Sequence, residues 1–256
     1  MIYPIDQPDT QRLNKFLALS LGVSRRQADD LIEQGKITIN DTVATLGARF
    51  IEGDIIKCSG QVVSSRDIKL IALHKPVGYI CSRRRQGDTP TIYELLPTNL
   101  HNLKPVGRLD KDSSGLILLT NDGDFAFRMT HPSFVKQKRY HVALDSPLQP
   151  LHQQMISDFG VMLEDGGSRF MIERVTRHEA TDELQGEGVD VSNSLRDSTG
   201  GASPSYIITM TEGRNRQIRR TFSALGYTVT KLHRTNFGNY SLGDIKPGEY
   251  KTQDIS

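Results

Sequence analysis

Cysteine is scarce in this chain: 256 residues carry only Cys58 and Cys81. Two isolated thiols build neither a disulfide framework nor a cysteine-rich metal site. A reducing compartment is the simpler reading. Long apolar runs are missing too. No stretch approaches the ~20 residues that a membrane span needs, and Met1-Ile2-Tyr3-Pro4-Ile5-Asp6 offers no basic segment leading into an apolar one, so no signal peptide is expected. Charge of one sign is also lacking. Lys and Arg total 32 against 30 Asp and Glu, for a net charge of +2. That excludes a bulk polycation coating nucleic acid, and any anionic partner must be met by a local basic patch. These absences describe a soluble cytoplasmic protein with no membrane partner, and a monomer is the default. With 36% hydrophobic residues there is enough material for a sizeable core. At roughly 100–200 residues per domain, the length fits one large domain with or without a small one.

The pattern along the chain divides it. Leu13, Phe16 and Leu17 recur at helical spacing. Ser24 is suited to cap a second helix with Ala28, Leu31 and Ile32 on one face, and Gly35 to stop it. Ile37 and Ile39 alternate with polar residues before the turn pair Asn40-Asp41. Helix, helix and short strands make a small α/β module over residues 1–60, followed by a linker at 61–67. A larger α+β block, expected to be mainly antiparallel sheet with flanking helices, fills 68–256. Its strand candidates are Leu70-Ile71-Ala72-Leu73, Leu116-Ile117-Leu118-Leu119 ending at the turn Asn121-Asp122-Gly123, the half-buried alternation Tyr140, Val142, Leu144, and Tyr206-Ile207-Ile208-Thr209-Met210. A helix is predicted over 214–225, with Gly226 as its stop. Residues 178–204 are acidic and glycine-containing and read as a flexible loop.

Positive charge is concentrated in two segments. Residues 69–111 and 206–240 each carry a surplus of five positive charges. Such a footprint fits an anionic polymer, although a solvated surface has the same composition. In the predicted helix, Ile218, Phe222 and Leu225 share a face, while Arg216, Arg219 and Arg220 lie opposite or flank it. A border arginine such as Arg219 can aim into a cleft or simply snorkel to water, and spacing does not separate the two.

The most informative segment runs Gly107-Arg108-Leu109-Asp110-Lys111-Asp112-Ser113-Ser114-Gly115 into the apolar strand. It resembles the central motif of RNA pseudouridine synthases, specifically the RsuA/RluB/RluE/RluF family acting on ribosomal RNA. Lys75-Pro76-Val77-Gly78, Lys138-Arg139-Tyr140, Glu212-Gly213-Arg214-Asn215-Arg216-Gln217-Ile218-Arg219-Arg220, Leu232-His233-Arg234 and Lys246-Pro247-Gly248-Glu249-Tyr250 resemble further motifs of that family in the same order. The first module, through Ser24-Arg25-Arg26-Gln27-Ala28 and Gly35-Lys36-Ile37-Thr38-Ile39-Asn40, is similar to the RNA-binding module of a ribosomal small-subunit protein.

The resemblance implies isomerisation of uridine to pseudouridine in ribosomal RNA or a ribosomal subunit assembly intermediate, with no cofactor and no metal. It implies that Asp110 is the catalytic carboxylate, acting as nucleophile or as base toward a sugar proton, and that Arg219 pairs with it. Arg108 would enter the RNA stack where the base leaves. Tyr140 would lie against the flipped uracil, and Ile218 would form the apolar floor. Phosphate contacts would come from Arg12, Lys15, Arg25, Arg26 and Lys36 in the first module and from Lys75, Arg214, Arg216 and Arg220 in the second. Three other classes compete. A non-catalytic RNA-binding protein would not need Asp110, Tyr140 and Arg219 together. A methyltransferase needs a glycine-rich cofactor loop that is not found. A glycosidase would pair Asp110 with Asp112.

Overall fold

The structure, a computed structural model, describes residues 10–174 and 204–255. All but the last residue of the acidic segment expected near 178–204 lies outside them. The chain forms two compact units, Met1–Ile68 and Lys69–Ser256.

In the first unit, strand β1 (Gln11–Arg12) leads into helix α1 (Leu13–Leu21), and helix α2 (Arg25–Glu33) follows. Ser24 and Gln27 form a reciprocal capping box at the start of α2. Gly35, with φ of +66°, turns the chain out of the helix. Strands β2 (Ile37–Ile39), β3 (Thr42–Val43), β4 (Arg49–Phe50), β5 (Ile56–Cys58) and β6 (Gln61–Val62) complete the unit. A four-stranded sheet is ordered β3-β2-β5-β6, and β1 pairs with β4. Asn40 and Asp41 both adopt positive φ, which joins β2 to β3 by a tight hairpin. Leu13, Leu17, Ala28, Ile32, Ile37 and Ile56 make the core.

The second unit is built on a nine-stranded sheet. Its strands are β7 (Leu70–Lys75), β8 (Lys104–Val106), β9 (Ser114–Thr120), β10 (Lys138–Leu144), β13 (Met171–Arg174), β14 (Ser205–Met210), β15 (Val229–Phe237), β16 (Tyr240–Ser241) and β17 (Tyr250–Gln253), and β11 (Val161–Leu163) with β12 (Gly166–Ser168) forms a separate hairpin. The main path is β13-β14-β10-β15-β9-β7-β17, with β8 on β9 and β16 on β15. β9 and β15 run parallel; the other pairings of this sheet are antiparallel. Helix α3 (Gly123–Thr130) buries Phe125 and Met129 against one face, together with Leu116 and Leu118. Helix α4 (Pro150–Gln154) follows β10, and helix α5 (Gln217–Ala224) buries Ile218 and Phe222 against the other face, with Ile117 and Leu119. Two covered faces explain the unbroken apolar run of β9.

Three expectations change. Tyr140, Val142 and Leu144 alternate with His141 and Ala143, which are buried as well, because β10 is a central strand. The turn Asn121-Asp122-Gly123 is also a helix start, with Asp122 capping α3. The helix predicted over 214–225 begins at Gln217, because Arg216 sits in the left-handed region at φ +47° and breaks the helical path.

Candidate active site

The loop before β9 carries Asp110 and is fastened on several sides. The Ser113 amide donates to the Asp110 carbonyl at 3.1 Å, and the Gly78 amide donates to the Lys111 carbonyl at 2.7 Å. The Leu109 amide donates to Cys81 Sγ, while that thiol donates back to the Leu109 carbonyl at 3.3 Å. Burial holds the Cys81 thiol above its ordinary pKa. Lys75 is fully buried below the loop, and its ammonium donates to the carbonyls of Ser113 at 2.6 Å and Pro76 at 3.0 Å. Burial lowers its pKa to about 8, against the pull of Cys81, Asp110 and Asp112. Lys75 therefore does not meet phosphates as the sequence reading expected; it is a strut beneath the loop.

Across the sheet, Tyr140 on β10 is the register partner of Arg234 on β15, and Arg234 of Gly115 on β9. Tyr140 and Arg234 of this row, with Asp110 just upstream of Gly115, line a cavity of about 560 Å³. Arg108, Asp110, Tyr140 and Ile218 all line it. Tyr140 and Ile218 are buried and Arg108 is exposed, while the Asp110 side chain retains 31% exposure toward the open mouth. A cavity of this size suits a nucleotide, and its lining mixes apolar and charged groups.

Arg219 departs from expectation. It does not line this cavity: its Nη1 donates to the Val229 carbonyl at 2.8 Å, its Nη2 donates to the Asp112 carbonyl at 2.8 Å, and its Nε lies 3.3 Å from the Asp112 carboxylate. Arg216 instead approaches Asp110, with 3.8 Å between Nη1 and Oδ2. Arg216 also grips Asp112 through two hydrogen bonds of 3.0 and 2.9 Å. The left-handed turn at Arg216 accounts for the exchange, since it frees this residue from the helix to reach back over the loop. The Arg216 bonds, and behind them the charge of Arg219, hold the Asp112 carboxyl below its ordinary pKa. Both Asp112 carboxylate oxygens are taken up by Arg216, which makes Asp112 an anchor for the loop.

Of the other basic candidates, Arg214 also lines the cavity but is bound to the β11–β12 turn, donating to the carbonyls of Asp165, Gly166 and Gly167. Arg220 pairs with the Asp165 carboxylate. In the first unit, Arg12, Lys15, Arg25, Arg26 and Lys36 are all exposed. Two further cations line the cavity, Lys138 and Arg234. Lys138 stands two residues before Tyr140 and so on the same side of the strand, a signal available in the sequence. Arg234 falls in the Leu232-His233-Arg234 motif, but its burial within β15 leaves no local signal. Among the described residues, no group of three His, Cys, Asp or Glu is placed to hold a metal ion, and no helix is long and apolar enough to cross a membrane.

Comparison with known proteins identifies the chain's relatives. The pattern of the RNA pseudouridylate synthase family matches residues 69–224, and that of the S4 domain matches residues 11–56. The dual-specificity RNA pseudouridine synthase RluF of Salmonella typhi is 34% identical over 249 residues, covering 94% of this chain and 74% of that protein. The ribosomal small subunit pseudouridine synthase A of Vibrio cholerae serotype O1 is 31% identical over 242 residues, covering 94% of each chain. A crystal structure of a pseudouridylate synthase matches with a TM-score of 0.60 at 28% identity, covering 95% of this chain and 96% of that one. The chain belongs to the RNA pseudouridine synthase family of isomerases. Its S4 domain and its RluF and small-subunit relatives put it in the RsuA/RluF branch.

Proposed function

We propose that this protein isomerises a uridine of ribosomal RNA, free or within a subunit assembly intermediate, in the cytoplasm, as a monomer and without a cofactor. Asp110 acts on a nucleotide flipped into the cleft. The observation that carries this reading is the convergence of Arg108, Asp110, Tyr140 and Ile218 on one cavity. The N1–C1′ bond breaks, the base rotates, C5 bonds to C1′, and the proton lost from C5 is balanced by one gained at N1. The Asp110 carboxylate would attack the sugar or the base, or take a sugar proton. Arg216 stands 3.8 Å from it. Arg219 acts as a positioning residue through Asp112. Tyr140 offers a π-face to a uracil that must turn, and Ile218 packs beside it. Arg108, an exposed residue of the cavity lining, would fill the gap left in the RNA stack.

The central test is tritium release from 5-tritiated uridine in unmodified ribosomal RNA; absence of release from wild-type protein would remove the proposal. Within that assay, Tyr140→Phe should keep most activity, while Tyr140→Ala should lose roughly 10–100-fold, the worth of one stacked base. Equal losses in both would end the stacking role. In the S4 module, changing Arg25 and Arg26 together to Ala should weaken RNA binding and reduce the slope of log K against log salt by about 1–2. An unchanged slope would remove these arginines from the phosphate footprint.

A further inference from the structure

Two cations that line the cleft, Arg234 and Lys138, form no ion pair among the described residues. Arg234 is only 2% exposed. Its Nε donates to the Leu116 carbonyl at 2.8 Å, but its Nη2 is buried with no partner among the described residues. Its guanidinium carbon lies 4.9 Å from the centre of the Phe237 ring, and Lys138 Nζ lies 5.3 Å from the same point. Lys138 donates to the carbonyls of Thr211 at 3.0 Å and Glu212 at 3.3 Å. Both residues line the cavity that holds Asp110 and Tyr140. Among the described residues, neither forms an ion pair with a carboxylate. The acids nearby are already engaged: Asp110 faces Arg216, and Glu212 lies 3.5 Å from Arg214 and accepts a bond from Gln217.

Burying positive charge without a partner is costly. The cost is visible in Lys138, whose pKa falls to about 8, by burial first and then by repulsion from Arg234, with Glu212 opposing. Arg234 depresses the buried Lys75 in the same direction. An unsatisfied guanidinium edge beside an ammonium is a donor set for an oxyanion. The described residues supply none, whereas RNA brings one with every nucleotide.

We propose that Arg234 and Lys138 form a phosphate subsite on the cleft floor that takes a phosphodiester group of the target uridine and so seats its ribose against Asp110. This rests on the reading of the cleft as the uridine site. The alternative is that Arg234 is purely structural, fixed by Leu116 and Phe237, in which case the subsite would not respond to phosphate.

The full-length protein, labelled with 13Cε-lysine, separates the two. The Lys138 resonance is identified by its loss in Lys138→Gln and should titrate near pH 8. Inorganic phosphate and uridine 5′-monophosphate should both raise that midpoint, and uridine should not. The monophosphate should bind wild-type protein about tenfold more tightly than uridine below pH 8, one well-made charged contact. The preference should fade as pH rises past the Lys138 midpoint and be lost in Lys138→Gln. Arg234→Lys, which keeps the charge but not the fork, should reduce it. A midpoint that neither phosphate compound moves, equal binding of uridine and its monophosphate, or a shift with inorganic phosphate that the monophosphate does not reproduce would each overturn the subsite. Tritium release by wild-type protein is scored separately. Release without a phosphate response sinks only the subsite, and a phosphate response without release sinks the uridine reading.

Discussion

Asp110→Asn should abolish pseudouridine formation, with a loss of roughly 10⁴-fold or more, as expected when the essential nucleophile or base is removed. The substitution keeps the shape of the side chain and removes only its charge. The turn around it is held by the backbone bond from Ser113 to the residue 110 carbonyl, and the loop by Gly78, Lys75 and Cys81, none of which needs the carboxylate. Arg216 would lose its contact with residue 110 but keep both bonds to Asp112. RNA affinity should therefore stay within a few-fold of wild type, in contrast to the collapse of turnover. Tritium release and filter binding on the same preparation give both numbers. Appreciable turnover by the variant would remove Asp110 from the chemistry.

The largest effect on stability should come from Gly115→Ala. Gly115 lies at φ +105°, and a Cβ there would stand 2.6 Å from the Arg234 nitrogen, with the carbonyl oxygen of that residue closer still. Both atoms belong to the backbone of β15, so no side chain can rotate away. β9 also carries the ladder to β7 and the apolar residues of both core faces, so it cannot shift alone. A loss above about 4 kcal/mol is expected, the range reserved for steric failure in a core. This corresponds to a fall of at least about 8 °C in the melting temperature of the larger unit. A variant melting within 2–3 °C of wild type (about 1 kcal/mol) would show that β9 and β15 can separate more easily than their register implies.

Much of this fold is written in local pattern. Ser24, Gln27 and Gly35 bracket α2 because capping and helix termination depend on adjacent backbone groups. Leu70–Lys75 and Ser205–Met210 are legible because apolar β-formers run unbroken there. β15 is harder to see, since it buries His233, Arg234 and Thr235 and so lacks an apolar signature. Its parallel pairing with β9 joins segments more than a hundred residues apart, and no local preference encodes that. The site shows the same division. Motif resemblance located Arg108, Asp110, Tyr140 and Ile218, which meet in the cleft. It did not locate the partner of Asp110, because the exchange of Arg219 for Arg216 turns on one backbone angle, and a left-handed arginine carries no sequence mark. Lys75 looked like surface charge because a lysine is rarely buried; only the carbonyls above it show why this one is.

The fastenings of the Asp110 loop determine which partner must deform on encounter. A segment pinned by an amide, a thiol, a buried ammonium and an arginine clamp has little freedom left to surrender when ligand arrives. On the proposed reading the Asp110 carboxylate is a fixed anvil, and the bending and unstacking that the reaction would demand fall on the polynucleotide. Selectivity among uridines would accordingly track how readily each one's surroundings give way.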